Sequence, residues 1–356
     1  MDKSQTEPSI LIITGMHRSG TSLTASLLQS AGLHIGNRLL SPNDGNPKGY
    51  FENLDFFEFH RRILNAHQLD KDGWTFESTI NLQEHEKQLA HQIVAQNALG
   101  SVWGWKEPRT TLFLSFWADF LPQANFLFVY RCPWEVVDSL YRRGDNIFQR
   151  QPELAIKFWL HYNQIILNFA ACFPKRCLFA NIQEIIQSPK DYIAAITKKF
   201  KVEFSSPDLK LYDPSGLKTE AEYYHRRALI EECFPQAIST YQELESRAWH
   251  FLETPILSKS LPPASDFKIG GFQDWMTVRR LEKENQQLKA QLKEYQFNIP
   301  QITEQLEAQQ KPSSNKEILP LSNYPKLHKI NIDLDASRQR LANIQALLAA
   351  KSRLSP

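Results

Sequence analysis

Ile10-Leu11-Ile12-Ile13-Thr14-Gly15-Met16-His17-Arg18-Ser19-Gly20-Thr21-Ser22 is the stretch that decides the fold. An apolar run of strand length feeds a turn bounded by two glycines, and a helix begins directly after it. In that arrangement backbone N–H groups wrap an anion at a helix N-terminus. A loop for a nucleoside triphosphate places lysine right after its second glycine, to reach the β- and γ-phosphates. Thr21 stands there, and the cation sits inside the loop as Arg18. Arg18, the amides of Ser19, Gly20, Thr21 and Ser22, and the hydroxyls of Ser19, Thr21 and Ser22 therefore form one expected anion site. It suits a phosphate-like group and is poorly built for ATP or GTP.

Outward from this unit, strands and helices alternate. A strand at 9–14 leads to a helix at 20–31, with Leu23, Leu27 and Ala31 on one face and Gly32 placed to stop it. Residues 41–53 are crowded with turn formers and read as a surface loop. Helices are expected at 54–67 and 82–98, a strand at 102–105, and a fully covered strand at 125–130. Pro133 suits the first position of a helix running to Arg143. A strand at 177–181, a helix at 189–200 and a long helical stretch at 219–252 follow. This alternation predicts a three-layer α/β domain with a mostly parallel sheet over residues 1–255.

Residues 256–272 turn to Pro, Ser and Gly and read as a linker. Val278, Leu281, Leu288, Leu292 and Tyr295 then follow a heptad with Asn285 at an a position, which predicts a coiled coil over 273–310 that pairs two copies through 274–310. A flexible linker at 311–330 and a short amphipathic helix at 331–350 complete this helical extension.

The bulk numbers fit that division. The chain has 356 residues, 42% of them apolar, with 22 Phe, 11 Tyr and 8 Trp, enough for a large core. A formal net charge of +2 argues against general nucleic-acid binding and makes any basic site local. Cys132, Cys172, Cys177 and Cys233 show no zinc spacing, so no metal site is expected. Cys172 and Cys177 read as core residues of a protein in a reducing compartment. With no signal-like apolar N-terminus and no membrane-span-length run, the expectation is a cytoplasmic protein.

Arg131 follows the strand at 125–130, at the edge where open α/β sheets bind ligands. Ser139 lies eight residues on, and an Arg fork with a Ser hydroxyl is a suitable holder for a second phosphate.

Gly15-Met16-His17-Arg18-Ser19-Gly20-Thr21-Ser22, Gly49-Tyr50-Phe51-Glu52-Asn53, Trp105-Lys106-Glu107-Pro108-Arg109 and Tyr130-Arg131-Cys132-Pro133 running on to Ser139 together resemble the sulfotransferase family. The resemblance covers about residues 9–215 and implies a P-loop-like fold. It also implies 3′-phosphoadenosine 5′-phosphosulfate as donor, with no metal. Carried over, Arg18, Ser19, Gly20, Thr21 and Ser22 would hold the 5′ end and Arg131 with Ser139 the 3′-phosphate.

The missing lysine fits, because this donor has no γ-phosphate. Sulfuryl transfer builds charge on the oxygen bridging sulfur to phosphate, where a fixed cation is most useful. Arg18 is the expected cation. Lys106 is the second, since the family carries Lys-Asp-Pro or a close variant there; Glu107 replaces the usual Asp. Glu52 is the leading base by the same resemblance, and His17, beside Arg18 in the loop, is its rival. Asp55 and Arg109 are further candidates for lining the cavity.

The family's C-terminal Arg-Lys-Gly-type closing loop is missing, and Asp213–Lys218 is the expected substitute. The acceptor is expected to be a hydroxyl compound, a carbohydrate or glycoconjugate, with Tyr50, Phe51 and Trp74 as stacking aromatics. Two alternatives stand beside this reading: a P-loop kinase or NTPase, and a coiled-coil scaffold without catalysis.

Overall fold

The computed structural model describes residues 8–41, 49–209, 214 and 224–250, with helical positions 274, 277, 280, 281 and 283–294. They divide between two units, 1–143 with 153–263, and 144–152 with 264–356. In chain order the elements are β1 (Ser9–Thr14), α1 (Thr21–Ser30), α2 (Leu54–Ala66), α3 (Glu84–Asn97), β2 (Val102–Lys106), α4 (Leu114–Phe120), β3 (Asn125–Tyr130), α5 (Pro133–Arg143), α6 (Asn146–Arg150), α7 (Leu154–Cys172), β4 (Cys177–Asn181), α8 (Ile182–Gln187), α9 (Pro189–Phe200), α10 (Tyr224–Cys233), α11 (Pro235–Arg247) and β5 (Ala248–Trp249). A 3-10 turn, Pro108–Phe113, joins β2 to α4.

Five strands form one sheet in the order β2-β1-β3-β4-β5, every pair parallel. The chain steps outward from β1 to β2 and then back across β1 to β3. The carboxyl ends of β1 and β3 therefore flank a topological switch point, where doubly wound sheets place their ligands. Ile13 pairs with Lys106, Thr14 with Phe128, and Tyr130 with Asn181, which brings the ends of β1, β2, β3 and β4 to one edge.

Strand alternation divides the core. Leu11, Ile13, Leu127, Val129, Leu178 and Ala180 pack on one face with Ala25 and Leu28 of α1 and Tyr192, Ile193 and Ile196 of α9. On the other face Phe126 and Phe128 meet Phe169 of α7, with ring centroids 4.8 and 6.0 Å apart. Trp105 stacks on Phe56 of α2 at 3.9 Å. Helices on both faces of a parallel sheet make the α/β, P-loop-like fold expected from the alternation.

Four details differ from the sequence reading. The helical stretch at 219–252 is two helices broken at Phe234, because Pro235 opens a new helix. Its last two described strand residues, Ala248 and Trp249, pair with Phe179 and Ala180. The nineteen-residue helix α7 stands where no element was expected. Cys177 is buried as expected, but Cys172 is exposed at the end of α7.

In the second unit, α6 opens with the Phe148 and Gln149 amides on the Asp145 carbonyl. Residues 283–294 are helical, and Leu281 and Leu292 pack on Leu288, as the heptad spacing requires. Val278 and Tyr295 lie outside the described residues, as do the linkers and the helix expected at 331–350. No helix among the described residues is long and apolar enough to cross a membrane.

Candidate active site

The loop after β1 is shaped by crowding. A Cβ on Gly15 (φ +152°) would stand 2.1 Å from the Val129 carbonyl oxygen of β3. One on Gly20 (φ +95°) would stand 2.3 Å from the Ile182 side chain. Only glycine brings the loop this close to the neighbouring strand end and to α8. Between them Arg18 adopts φ +68°, an uncommon conformation for a residue with a side chain. α1 then starts with no side-chain cap and no acid in its first turn. Its first amides and positive dipole end thus face the loop with no acid of the helix's own first turn beside them. Ser19 Oγ is buried there with no hydrogen-bond partner among the described residues.

A lysine does reach this loop, from another strand. Lys106, the last residue of β2, donates from Nζ to Ser22 Oγ at 3.2 Å and to Glu52 Oε1 at 2.9 Å. Lys106 is 1% exposed. Burial lowers its pKa, and the Glu52 carboxylate acts against that loss. Glu52 is held by its neighbour Asn53, which caps α2 by accepting from the Asp55 amide at 3.0 Å. Asn53 Nδ2 also donates to the Ile35 carbonyl and to Asn97 Oδ1. A cap of this kind is worth about 1 kcal/mol. Asp55, expected as a cavity residue, is spent on Arg38 and Asn97 instead.

At the end of β3, Arg131 is buried and donates from Nε to Glu135 Oε2 at 2.6 Å. Its carbonyl accepts from Trp159 Nε1 of α7. Ser139, expected beside Arg131, meets the other guanidinium: Arg18 Nε donates to Ser139 Oγ at 2.8 Å. The two basic sites therefore adjoin. Burial, then the charges of Arg143 and Arg131, brings the Arg18 pKa down to about 10. Packing guanidinium groups together at this cost is what a strongly anionic ligand repays.

His17 is buried, with its ring centroid 5.0 Å from Trp74 and 6.0 Å from Tyr162. Its Nε2 has no hydrogen-bond partner among the described residues. Burial first, then the charges of Arg109, Arg143, Lys106 and Arg18, pushes its pKa well below the ordinary histidine value. The imidazole is neutral at pH 7.

A buried network behind these groups was not read from the sequence. Trp117 Nε1 donates to His60 Nε2 at 2.9 Å, and His60 Nδ1 lies 2.7 Å from Glu107 Oε2. Indole N–H only donates, so His60 Nε2 accepts and Nδ1 carries the proton toward Glu107. Glu107 also pairs with Arg109. Burial alone would raise the Glu107 pKa; Arg109 and His60 outweigh it and hold the carboxyl below its usual value. The available signal was His60 itself, a histidine on the apolar stripe Phe56, Phe59, Ile63 of α2. Of the aromatics expected to stack on a sugar, Phe51 packs against the core. Trp74 is 9% exposed and lies under the Arg143 guanidinium, 5.4 Å above its ring. Lys218 lies outside the described residues.

A family model described as the sulfotransferase family matches residues 8–206. The chain belongs to the sulfotransferase family. Comparison with curated proteins finds no match. Three solved structures are similar to it in fold. The sulfotransferase domain of the Synechococcus PCC 7002 olefin synthase is 20% identical, with 71% of this chain and 98% of that one covered and a TM-score of 0.36. Sulfotransferase STF1 of Mycobacterium tuberculosis H37Rv is 15% identical, covering 65% and 77%, with a TM-score of 0.35. Sulfotransferase STF9 of Mycobacterium avium is 14% identical, covering 76% and 77%, with a TM-score of 0.38.

Proposed function

We propose that this sulfotransferase uses 3′-phosphoadenosine 5′-phosphosulfate as its donor, held by Ser19, Gly20, Thr21 and Ser22 with Arg18 at the 5′ end and by Arg131 with Ser139 at the 3′-phosphate. One observation carries the reading: the unpartnered Ser19 hydroxyl, the uncapped start of α1 and the crowded guanidinium of Arg18 converge at one strand end. That set fits a polyanion. Lys106, arriving from β2, supports a second cation at the loop without the triphosphate-loop lysine.

When bound, the donor supplies a sulfuryl group activated by a phosphate leaving group. Arg18 and Lys106 balance the charge that grows on the departing oxygen. The acceptor hydroxyl forms the new O–S bond as the bond from sulfur to the bridging oxygen breaks, and its proton passes to a base. Of the two candidates, Glu52 already accepts from Lys106, whereas His17 is neutral with an unspent ring nitrogen. We therefore assign proton removal to His17 and the positioning of Lys106 to Glu52. The acceptor we infer is a hydroxyl compound of the carbohydrate or glycoconjugate class. Arg143 lies over one face of the Trp74 ring, 5.4 Å from its centroid.

Thermal stability measured with adenosine 3′,5′-bisphosphate, ATP–magnesium and AMP tests the donor. The bisphosphate at 100 times its Kd should add about 2.7 kcal/mol. Stabilisation by ATP–magnesium alone would falsify the assignment and favour a kinase or NTPase.

A further inference from the structure

Beyond the loop and the two strand ends, one turn is gripped from two sides. Asp70 Oδ1 accepts from the Asp72 amide at 2.7 Å, and the Asp70 carbonyl accepts from the Gly73 amide at 2.9 Å. Gly73 has φ +88°, and a Cβ there would stand 2.6 Å from Tyr162 Oη and 3.1 Å from Arg109 Cγ. Two side chains from distant parts of the chain close on this turn. Arg109, from the 3-10 turn after β2, donates from Nε to the Lys71 carbonyl at 3.1 Å. Tyr162, from α7, donates its hydroxyl to the Gly73 carbonyl at 2.9 Å.

The next residue is Trp74, whose ring centroid lies 5.0 Å from that of His17, nearer than the Tyr162 ring at 6.0 Å. Phe158 lies 5.4 Å from Trp74, so the indole is held from α7 as well. Arg109 is itself aligned by Glu107, and Glu107 by the proton on His60 Nδ1, which Trp117 fixes from the other side of the ring. Trp117, His60, Glu107 and Arg109 thus form a buried run of polar contacts, with Glu107 accepting from both sides, that reaches the Lys71 carbonyl through Arg109. Burying a guanidinium and a phenol merely to support a loop is costly when apolar contact would suffice. Two hydrogen bonds to carbonyls two residues apart, however, fix the rotation of the turn and so the plane of the residue that follows.

We propose that Arg109 and Tyr162 are positioning residues that grip the Lys71–Gly73 turn, press Trp74 against His17 and thereby set the orientation of the imidazole toward the acceptor hydroxyl. This rests on the assignment of His17 as base. The groups that bear on His17 come from every side: Arg18 in its own loop, Lys106 of β2, Arg109, Arg143 of α5, and the rings of Trp74 and Tyr162. Loosening the turn lets water reach the ring and shifts its titration back toward the ordinary histidine range.

The test uses the full chain in three forms, wild type, Tyr162→Phe and Arg109→Lys, with His17→Gln to assign the His17 imidazole signals by NMR. Two quantities are read: the pH titration and tautomer of His17, and calorimetric affinity for adenosine 3′,5′-bisphosphate. The expected result is a His17 that titrates closer to 6.5 in both variants, with bisphosphate affinity within about two-fold of wild type. Release of labelled sulfate from 3′-phosphoadenosine 5′-phosphosulfate to water should fall about ten-fold in Tyr162→Phe, which keeps the ring and loses only the hydroxyl. An unchanged His17 titration and tautomer in Tyr162→Phe would overturn the proposal, leaving both residues a structural role. Should Arg109→Lys fail to fold, Tyr162→Phe decides alone. If wild type does not bind the bisphosphate while the His17 shift appears, the donor reading fails and the positioning stands.

Discussion

The two cations at the switch point are held in opposite ways. Arg131, at the end of β3, meets a carboxylate, Glu135, on its own side of the site. Arg18, after β1, meets the neutral hydroxyl of Ser139 and lies within reach of three other guanidinium charges, Arg143, Arg131 and Arg142. A cation already balanced by an acid changes little when an anion arrives and suits steady holding. A cation crowded by its own kind gains most from new negative charge, including charge that appears only during a reaction. The pair teaches how the proposed roles differ, Arg131 holding the donor and Arg18 answering charge that grows in the reaction, with one hydrogen bond from Arg18 to Ser139 joining the two ends.

The sharpest way to break this contrast is Arg18→Ala. Turnover of labelled donor should fall about 10²–10³-fold while bisphosphate affinity drops far less. An equal loss in both would erase the distinction. Arg131→Ala should do the reverse, weakening bisphosphate binding about ten- to a hundred-fold by calorimetry. Glu52→Gln leaves Lys106 buried without its counter-charge and should cost about 3 kcal/mol in urea unfolding. If turnover in that variant falls as far as in His17→Gln, the two carry equal weight and the base assignment must be revisited. Ser139→Ala removes only the hydroxyl between the edges and should weaken bisphosphate binding a few-fold, about 1 kcal/mol.

The smallest effect is on acid stability. His17 and His60 have folded pKa values below the unfolded 6.5. Below pH 6.5 the unfolded chain therefore binds more protons than the folded one, and stability falls as pH drops through this window. His250 acts oppositely: its bonds to Glu184 and the Glu245 carbonyl outweigh burial and raise its pKa. Its contribution is full below 6.5 and is lost as pH rises through the folded value. Urea midpoints at pH 7.5 and 5.5 should show a smaller acid loss in His17→Gln than in wild type.

Most of the frame was legible in the residues. β1, β3, β4, α5 and α9 begin and end where apolar runs, Pro133 and Pro189 place them, because buried parallel strands are uniformly apolar and both helix starts carry proline. The loop glycines were equally readable, since their conformations leave no alternative. α7 was missed although Ala155, Phe158, Trp159, Tyr162, Ile166 and Phe169 keep helical spacing. It is so apolar that the contrast between its faces is weak. The partnership of Arg18 with Ser139, and the bonds from Trp117 to His60 and from Arg109 to the Lys71 carbonyl, join residues 38–121 positions apart. Local spacing holds no record of such pairs, which arise only when strand order brings distant ends together. The pairing of two copies through 274–310 remains a proposal from the heptad. Truncation before Gln273 should lower the mass in solution while bisphosphate binding persists.

Lys106 stands opposite Ile13 across the β1–β2 ladder, and its amine touches a hydroxyl on the first turn of α1. A slip of one residue between those strands would turn the amine to the opposite side of the sheet. On the role proposed for Lys106, a molecule whose outermost strand had docked out of step would keep the loop after β1 and lack its second cation.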